Sequence, residues 1–198
     1  YYASESHRSM FLKNLTIPEE YHHKAIRSGQ PHELIVDSLT QYQSTDKQDT
    51  VMWPHRYNAD KQPEIAEALS DTFDIIITQK MKLDKADYYA KMGQSKLIFS
   101  CALHENLGIS VMEAVLTGAV PVVPDRCSYS EMYLPEFKYP SEWTEDYAAF
   151  VYYRNDLVNF IQDKLDNFET YQQLIKDQQQ ILINNYLSSK IMLDTILK

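Results

Sequence analysis

The chain has 198 residues, of which 44% are hydrophobic and 24% charged, a composition that is ordinary for a globular protein with one sizeable core. The formal net charge of −9 disfavours a broad contact between this chain and nucleic acid. No apolar run approaches the ~20 residues of a membrane span, and no signal-peptide pattern is present. Because the chain begins Tyr1-Tyr2-Ala3, without Met, we expect it to be part of a longer protein.

The two cysteines, Cys101 and Cys127, are isolated in the sequence and show no C-x-x-C spacing. Such cysteines indicate reduced thiols, and hence a cytoplasmic location, rather than a disulfide framework. Three histidines, His22, His23 and His32, lie in a polar stretch without cysteine partners, so we expect no metal site.

The chain opens with a region of mixed pattern, residues 1–32. A short strand-like piece and a short helix are followed by a polar stretch that contains proline and glycine and is typical of a linker or surface loop. The elements predicted after it are, in chain order, strand 33–39, loop 41–49, strand 50–53, helix 61–71, strand 73–79, helix 85–94, strand 96–103, helix 108–117 and strand 119–124.

This alternation of strands and helices, with connections of a few residues, predicts right-handed βαβ units and a parallel sheet. The strands are apolar throughout, as expected when helices cover both faces of the sheet. Residues 33–150 are therefore predicted to form a doubly wound, Rossmann-like α/β domain. The amphipathic segments 155–165 and 170–187 predict carboxy-terminal helices, within 151–198, that pack on it.

Ligands of doubly wound sheets bind beyond the carboxyl ends of the strands, where we expect the loops 54–61, 104–108 and 125–131. The first loop contains His55, Arg56 and Lys61. Arginine offers a planar fork to phosphate and lysine a point charge, although ordinary surface charges would also explain this loop.

The second loop, His104 to Gly108, leads into the helix 108–117. Gly108 allows a ligand or backbone to approach closely, and the free N–H groups of a helix start form an anion site. The whole chain has four glycines and neither a G-x-G-x-x-G fingerprint nor a P-loop, so phosphate must be held by this helix start together with side-chain cations. Glu105 could equally serve as an acid that complements the helix dipole.

Glu113 lies in the middle of the apolar helix 108–117, where a carboxylate is costly without a partner. One interpretation is an inward salt bridge to another strand end. The other is that its two oxygens accept hydrogen bonds from the vicinal hydroxyls of a ribose, which would place phosphates at the helix start.

These residues carry a resemblance to a known family. The segment HENLGISVMEAVLTGAVPVVP, with Glu105 and Glu113, resembles the E-x7-E signature of glycosyltransferase family 4, which comprises retaining enzymes of the GT-B fold. HRYNADKQPE resembles the phosphate-binding loop of the same family. Together with VPVVPDRCSYSEMYLPEFKY, these segments are most similar to the subgroup of tRNA-queuosine mannosyltransferases, and the resemblance covers most of residues 3–140.

The resemblance implies a role for each motif residue. Arg56 and Lys61 would hold the donor diphosphate and stabilise the leaving nucleotide, and Glu105 would contact hydroxyls of the donor sugar. Glu113 would bind the ribose, and backbone amides from Leu107 to Ile109 would bind phosphate. His55 and His104 match subgroup positions without an assigned role, and His104 is counted with the donor-binding residues. The sequence departs from the subgroup at Ser130, where proline is usual.

The function implied by the resemblance is that of the carboxy-terminal, donor-binding half of a hexosyltransferase. Its donor would be a GDP-sugar or UDP-sugar, without a further cofactor or metal. The acceptor, a modified nucleoside in tRNA or DNA or else a glycan, lipid or protein, would bind through a missing amino-terminal domain, whose end and linker would be residues 1–32. The isolated chain should then be nearly inactive in transfer. A GT-B-type sugar-nucleotide epimerase and a non-catalytic nucleotide-sugar-binding module are the alternatives.

Overall fold

The computed structural model describes residues 1–197, the side chain of Thr195 excepted. One sheet lies at its centre, and all of its strands run parallel in the order β2-β1-β3-β4-β5. The strands are β1 Gln48–Trp53, β2 Asp74–Ile77, β3 Ser95–Phe99, β4 Val120–Pro124 and β5 Lys138–Tyr139. The Rossmann-like α/β class predicted from the sequence is confirmed.

Helices cover both faces of this sheet. The α-helices are α1 Glu5–Asn14, α2 Glu33–Thr40, α3 Pro63–Leu69, α4 Thr78–Met81, α5 Lys85–Gln94, α6 Ile109–Leu116, α7 Tyr129–Met132, α8 Tyr147–Asp166, α9 Gln172–Leu182 and α10 Ser189–Ile196. Short 3-10 helices lie at Glu19–Lys24, Ala59–Lys61, Pro135–Phe137, Ser141–Thr144 and Phe168–Tyr171, and one π-helical turn follows α9 at Ile183–Leu187. Among residues 1–197, no helix is long and apolar enough to cross a lipid bilayer.

The core has two parts, one on each face of the sheet. Trp53 and Phe99 pack on the face that α3 and α8 cover, whereas their neighbours Met52 and Ile98 pack on the face that α5 and α6 cover. Successive side chains of a strand point to opposite faces, so a strand that is buried on both sides must be apolar at every position. This explains why the strands of the sequence do not alternate.

The prediction of a strand at 33–39 is wrong, because this segment forms the helix α2. Ile35, Val36 and Leu39 turn towards the core at a helical spacing, while Leu34 is 86% exposed. A short apolar run fits a buried strand or a helix face equally well, and here packing decides for the helix. The predicted strand 96–103 is also too long, since β3 ends at Phe99.

The end of the amino-terminal region 1–32 is hydrogen-bonded to the π-helical turn Ile183–Leu187. The N–H groups of Gln30 and His32 donate to the carbonyls of Tyr186 and Leu187, at 2.6 and 2.9 Å. The polar stretch expected to be a linker is thus fixed along its final residues. The division of the chain at residues 32 and 150 stays a prediction.

Candidate functional site

A cavity of about 660 Å³ opens at the carboxyl edge of the sheet. It lies beside β1 and β3, between which the strand order reverses, and this switch point is where ligands of doubly wound sheets bind. All but one of the predicted site residues line it: Arg56, Lys61, Leu107, Gly108, Ile109, Glu105 and Glu113. The sequence elements singled out one by one therefore meet in one place.

The two loops that carry these residues are tied to each other by a backbone hydrogen bond. The N–H of Leu103, after β3, donates to the carbonyl of Asp60, after β1, at 2.8 Å. Because neighbouring parallel strands end at the same edge, their loops must meet, and this bond sets their register.

Lys61 is a buried lysine whose amine bridges the two loops. Its Nζ lies 3.2 Å from a carboxylate oxygen of Glu105 and 3.2 Å from one of Asp60, and it donates to the carbonyl of His104. Arg56 differs, since its side chain is 69% exposed and its nearest acid, Asp60, is 3.9 Å away. Lys61 is thus a fixed charge, whereas Arg56 can reorient towards a ligand.

The start of α6 provides backbone donors at the cavity. Gly108 has a φ of +72°, and a Cβ at this position would lie 2.8 Å from Cε1 of Tyr129. Only glycine fits here without strain or displacement. The carbonyl of Gly108 accepts from the N–H groups of Val111 and Met112, at 3.0 Å each. The preceding N–H groups, of Ile109 and Ser110, have no helical carbonyl to bind and form a potential anion site.

Glu113 is buried and accepts a hydrogen bond of 2.8 Å from the hydroxyl of Tyr89. Burial raises the pKa of the Glu113 carboxyl, which the Tyr89 hydrogen bond and the charges of Lys85 and His32 counteract. The interpretation as an inward salt bridge is wrong, because Glu113 forms no ion pair within the described part of the chain. A neutral hydroxyl holds the carboxylate at the cavity wall instead.

A buried polar cluster supports the same edge. Nε2 of His55 lies 2.9 Å from the hydroxyl oxygen of Ser100, and the hydroxyl of Tyr129 donates to the same oxygen at 3.1 Å. Burial lowers the pKa of His55 to about 4, so its imidazole is neutral at pH 7. His55 stands out in the sequence, whereas Ser100 and Tyr129 do not, since neither belongs to a charged pattern.

The cavity wall lacks the side chain of one predicted site residue, His104, and all of one predicted loop, 125–131, among the described residues. The side chain of His104 is exposed and does not line the cavity; only its backbone takes part, by accepting from Lys61. The third predicted loop, 125–131, adds no residue to the cavity wall among those the structure describes. The ring of Tyr129, from this loop, instead packs directly against Gly108.

The amino-terminal residues supply a further wall that the sequence did not indicate. Tyr1, Ala3, His7 and Gln30 line the cavity. The buried hydroxyl of Ser4 caps α1 and donates to the carbonyl of Asn106 at 2.9 Å. This contact fastens the start of α1 to the loop that carries Glu105.

No protein-family model matches the chain. Solved structures are similar to it, however. The crystal structure of TarM resembles the chain with a TM-score of 0.57 at 16% sequence identity, over 87% of this chain and 37% of that one. A single-residue mutant of S. aureus TarM, in complex with Fondaparinux, alpha-GlcNAc-glycerol and UDP, has a TM-score of 0.54 at 13% identity over the same shares.

At such low sequence identity, the comparison shows the fold of the chain and nothing about its activity. The chain has the Rossmann-like architecture of one half of a GT-B fold, with a helical carboxy-terminal extension. It spans 37% of the length of these related structures, which is somewhat less than half.

Proposed function

We propose that this chain is the donor-binding half of a retaining glycosyltransferase that transfers a hexose from a nucleoside-diphosphate sugar. One observation carries the proposal: Arg56, Lys61, Glu105, Glu113 and the start of α6 surround a single cavity at the switch point of a GT-B-like half. Support also comes from the resemblance of these residues to glycosyltransferase family 4 and from the UDP in one related structure.

In this proposal the diphosphate lies between the cations and the start of α6. Two cations, Arg56 and Lys61, face two carboxylates, Asp60 and Glu105, so the formal charges of the group cancel. Net attraction cannot hold the diphosphate, and the contacts must be local: the mobile guanidinium of Arg56, the amine of Lys61 and the free N–H groups of α6. The same donors stabilise the charge that grows on the leaving diphosphate during transfer.

The two glutamates have separate tasks in this arrangement. Glu113, oriented by Tyr89, accepts hydrogen bonds from the ribose hydroxyls, whereas Glu105 stands beside Lys61 and accepts from hydroxyls of the donor sugar. An ionised carboxylate offers both of its oxygens as acceptors, so both tasks favour the charged form.

In this proposal the acceptor binds to a part of the protein outside these 198 residues. The resemblance to queuosine mannosyltransferases favours a modified nucleoside in tRNA, together with a GDP-sugar donor. A modified base in DNA is the alternative acceptor. Because this chain has a net charge of −9, we expect a nucleic-acid acceptor to be bound by residues outside it. We expect the isolated chain to bind donors without completing transfer.

Calorimetry with UDP, GDP and their hexose conjugates tests the proposal. Glu113→Gln should weaken binding of the nucleoside diphosphate about 10-fold or more and leave inorganic pyrophosphate unaffected. Glu105→Gln should weaken the sugar conjugate more than the bare diphosphate. The exposed acid Glu142 provides the matched control, Glu142→Gln. Absence of binding by every nucleotide and conjugate contradicts the proposed function.

A further inference from the structure

His55 occupies a place in the cavity to which neither the motif roles nor the fold comparison assigns a task. It is buried, it lines the cavity, and it precedes Arg56 in the loop after β1. Its ring and that of Trp53 pack nearly perpendicular to each other, with 5.4 Å between the ring centroids. The ring is therefore held in one orientation before any ligand arrives.

The hydrogen bonds around Ser100 decide which nitrogen of His55 carries the proton. The hydroxyl oxygen of Ser100 accepts from the N–H of Ala102 at 3.3 Å and from the hydroxyl of Tyr129 at 3.1 Å. A hydroxyl has two acceptor lone pairs and one proton, so both lone pairs are in use. The proton of Ser100 then points to Nε2 of His55, 2.9 Å away.

Nε2 is consequently the acceptor of the neutral imidazole, and Nδ1 bears the hydrogen. Burial lowers the pKa of His55 to about 4, which agrees with a ring that carries one proton. Among residues 1–197, the buried side-chain polar atoms that lack a partner are Arg27 Nε, Trp53 Nε1, Arg126 Nε, Ser128 Oγ and the Tyr133 hydroxyl. Nδ1 of His55 also has no partner in the described protein, but it is not one of these fully buried atoms. Solvent therefore reaches it, and the cavity that His55 lines provides the path.

We propose that His55 is a donor-binding residue whose Nδ1–H group donates to an oxygen of the diphosphate, an inference that rests on the proposed function. His55, Arg56 and Lys61 line the same cavity, and the charges of Lys61, Glu105 and Asp60 all act on the imidazole. Its side-chain hydrogen bond within the described residues goes to Ser100 and not to a carboxylate, so the neutral Nδ1–H group is left to donate to an anionic oxygen. Ser100, Tyr129 and Trp53 fix the tautomer and the ring plane in advance, so no reorganisation accompanies binding.

Nitrogen-15 NMR of the chain labelled at histidine tests the tautomer before ligand is added. We expect His55 to show a protonated Nδ1 and an unprotonated Nε2 at pH 7. On titration with UDP or GDP, its Nδ1 resonance should shift, while the exposed His23 should not respond. Inorganic pyrophosphate should produce the same shift, whereas uridine and guanosine should not.

A pair of substitutions tests the donor separately. The amide nitrogen of His55→Asn falls near the position of Nδ1, whereas that of His55→Gln falls near Nε2. Loss of one hydrogen bond to a charged group corresponds to about 10- to 100-fold in affinity. We therefore expect His55→Gln to weaken diphosphate binding by this factor and His55→Asn to stay within about 3-fold of the wild type, with His23→Gln as the control.

The outcomes separate this inference from the proposed function. Three results would overturn the inference without contradicting the proposed donor site. They are a protonated Nε2, an Nδ1 resonance that does not shift although the chain binds UDP or GDP, and equal affinities of the two His55 variants. Failure of every diphosphate to bind overturns both. The wild-type spectra decide the tautomer even where a variant does not fold.

Discussion

Strand β1 is flanked by two lysines that are withdrawn from solvent at opposite edges of the sheet. Lys61 follows the strand at the carboxyl edge and contacts two carboxylates, Asp60 and Glu105. Lys47 precedes it at the amino edge, where Nζ donates to the backbone carbonyls of Ser95 and Thr117, at 3.2 and 3.0 Å. The same side chain thus meets charged partners at one edge and neutral ones at the other.

The difference separates the binding role that we propose for Lys61 from a structural role of Lys47. Lys47 caps carbonyls near the end of α6, which is a common task of lysine at a helix carboxyl terminus. Lys61 is a buried lysine in a partly buried ion cluster, and such clusters contribute little net stability compared with apolar packing. A cluster of this kind beside the free N–H groups at the start of α6 is better explained by a ligand. Helix α6 therefore joins a structural edge to a candidate binding edge.

The largest expected effect is on nucleotide affinity. Lys61→Met should weaken UDP or GDP binding by at least about 30-fold, because it removes the proposed diphosphate contact and leaves Asp60 and Glu105 without their shared cation. Lys47→Met should change the affinity by less than about 2-fold. Calorimetry on both variants measures this. Equal losses in the two variants would erase the distinction between the edges.

The two glycines at the ends of α6 sharpen the comparison. Gly108 and Gly118 have φ values of +72° and +86°, so alanine is strained at both. At Gly108 a Cβ would also press on Tyr129 at 2.8 Å, whereas at Gly118 its nearest neighbour is Lys47 Nζ at 3.6 Å. We expect Gly108→Ala to lower the free energy of unfolding by about 2–4 kcal/mol and Gly118→Ala by about 1–2 kcal/mol.

Urea denaturation of both glycine variants, at one pH and protein concentration, gives these free energies. Only Gly108→Ala should also weaken diphosphate binding, since it displaces the start of α6. A larger loss of stability in Gly118→Ala would show that the amino edge is the more tightly packed of the two.

The pH dependence of stability tests the neutral surroundings of Lys47. Burial lowers its pKa to about 8 from an ordinary value of 10.5, so between these pH values the unfolded chain binds more protons than the folded one. The free energy of unfolding then rises with pH. From pH 8 to pH 10 we expect the wild type to gain about 2 kcal/mol relative to Lys47→Met.

Urea titrations of the two proteins at several pH values measure this gain, because contributions of the other groups cancel in the difference. A constant difference between pH 8 and pH 10 would mean that the amine of Lys47 keeps its ordinary pKa.

The smallest expected effect concerns Glu113 and its hydroxyl partner. Burial already raises the pKa of Glu113, and Tyr89→Phe removes a hydrogen bond that favours the ionised form. In the proposed site, nucleotide binding uses that form, so affinity should fall as the pH drops through the raised pKa of Glu113. In Tyr89→Phe the fall should begin at a higher pH. At pH 7 we expect a loss of about 3-fold or less.

Titrations of affinity against pH for wild type, Tyr89→Phe and Glu113→Gln measure this effect. Glu113→Gln should lose this part of the pH dependence, and Tyr152→Phe, whose ring is 80% exposed, should match the wild type. Identical pH profiles for wild type and Tyr89→Phe would show that Tyr89 does not influence nucleotide binding through Glu113.

Much of this protein could be read from local sequence. Apolar runs separated by helical segments determine the parallel sheet, because a strand buried on both faces must be apolar throughout. Charged residues placed directly after β1 and β3 mark the candidate edge, because parallel strands bring those loops together. Arg56, Lys61 and Glu105 could be found in the sequence for this reason, and Glu113 because a carboxylate within an apolar helix is costly without a partner.

Only the tertiary structure decided which side chains are partners. Glu113 meets Tyr89 rather than a cation, His55 meets Ser100, and the segment 33–39 is a helix, since each depends on packing between elements distant in the chain. Spacing along a sequence fixes the face or loop on which a residue lies. Its partner is chosen by the long-range packing and desolvation of the folded core, which no local pattern encodes.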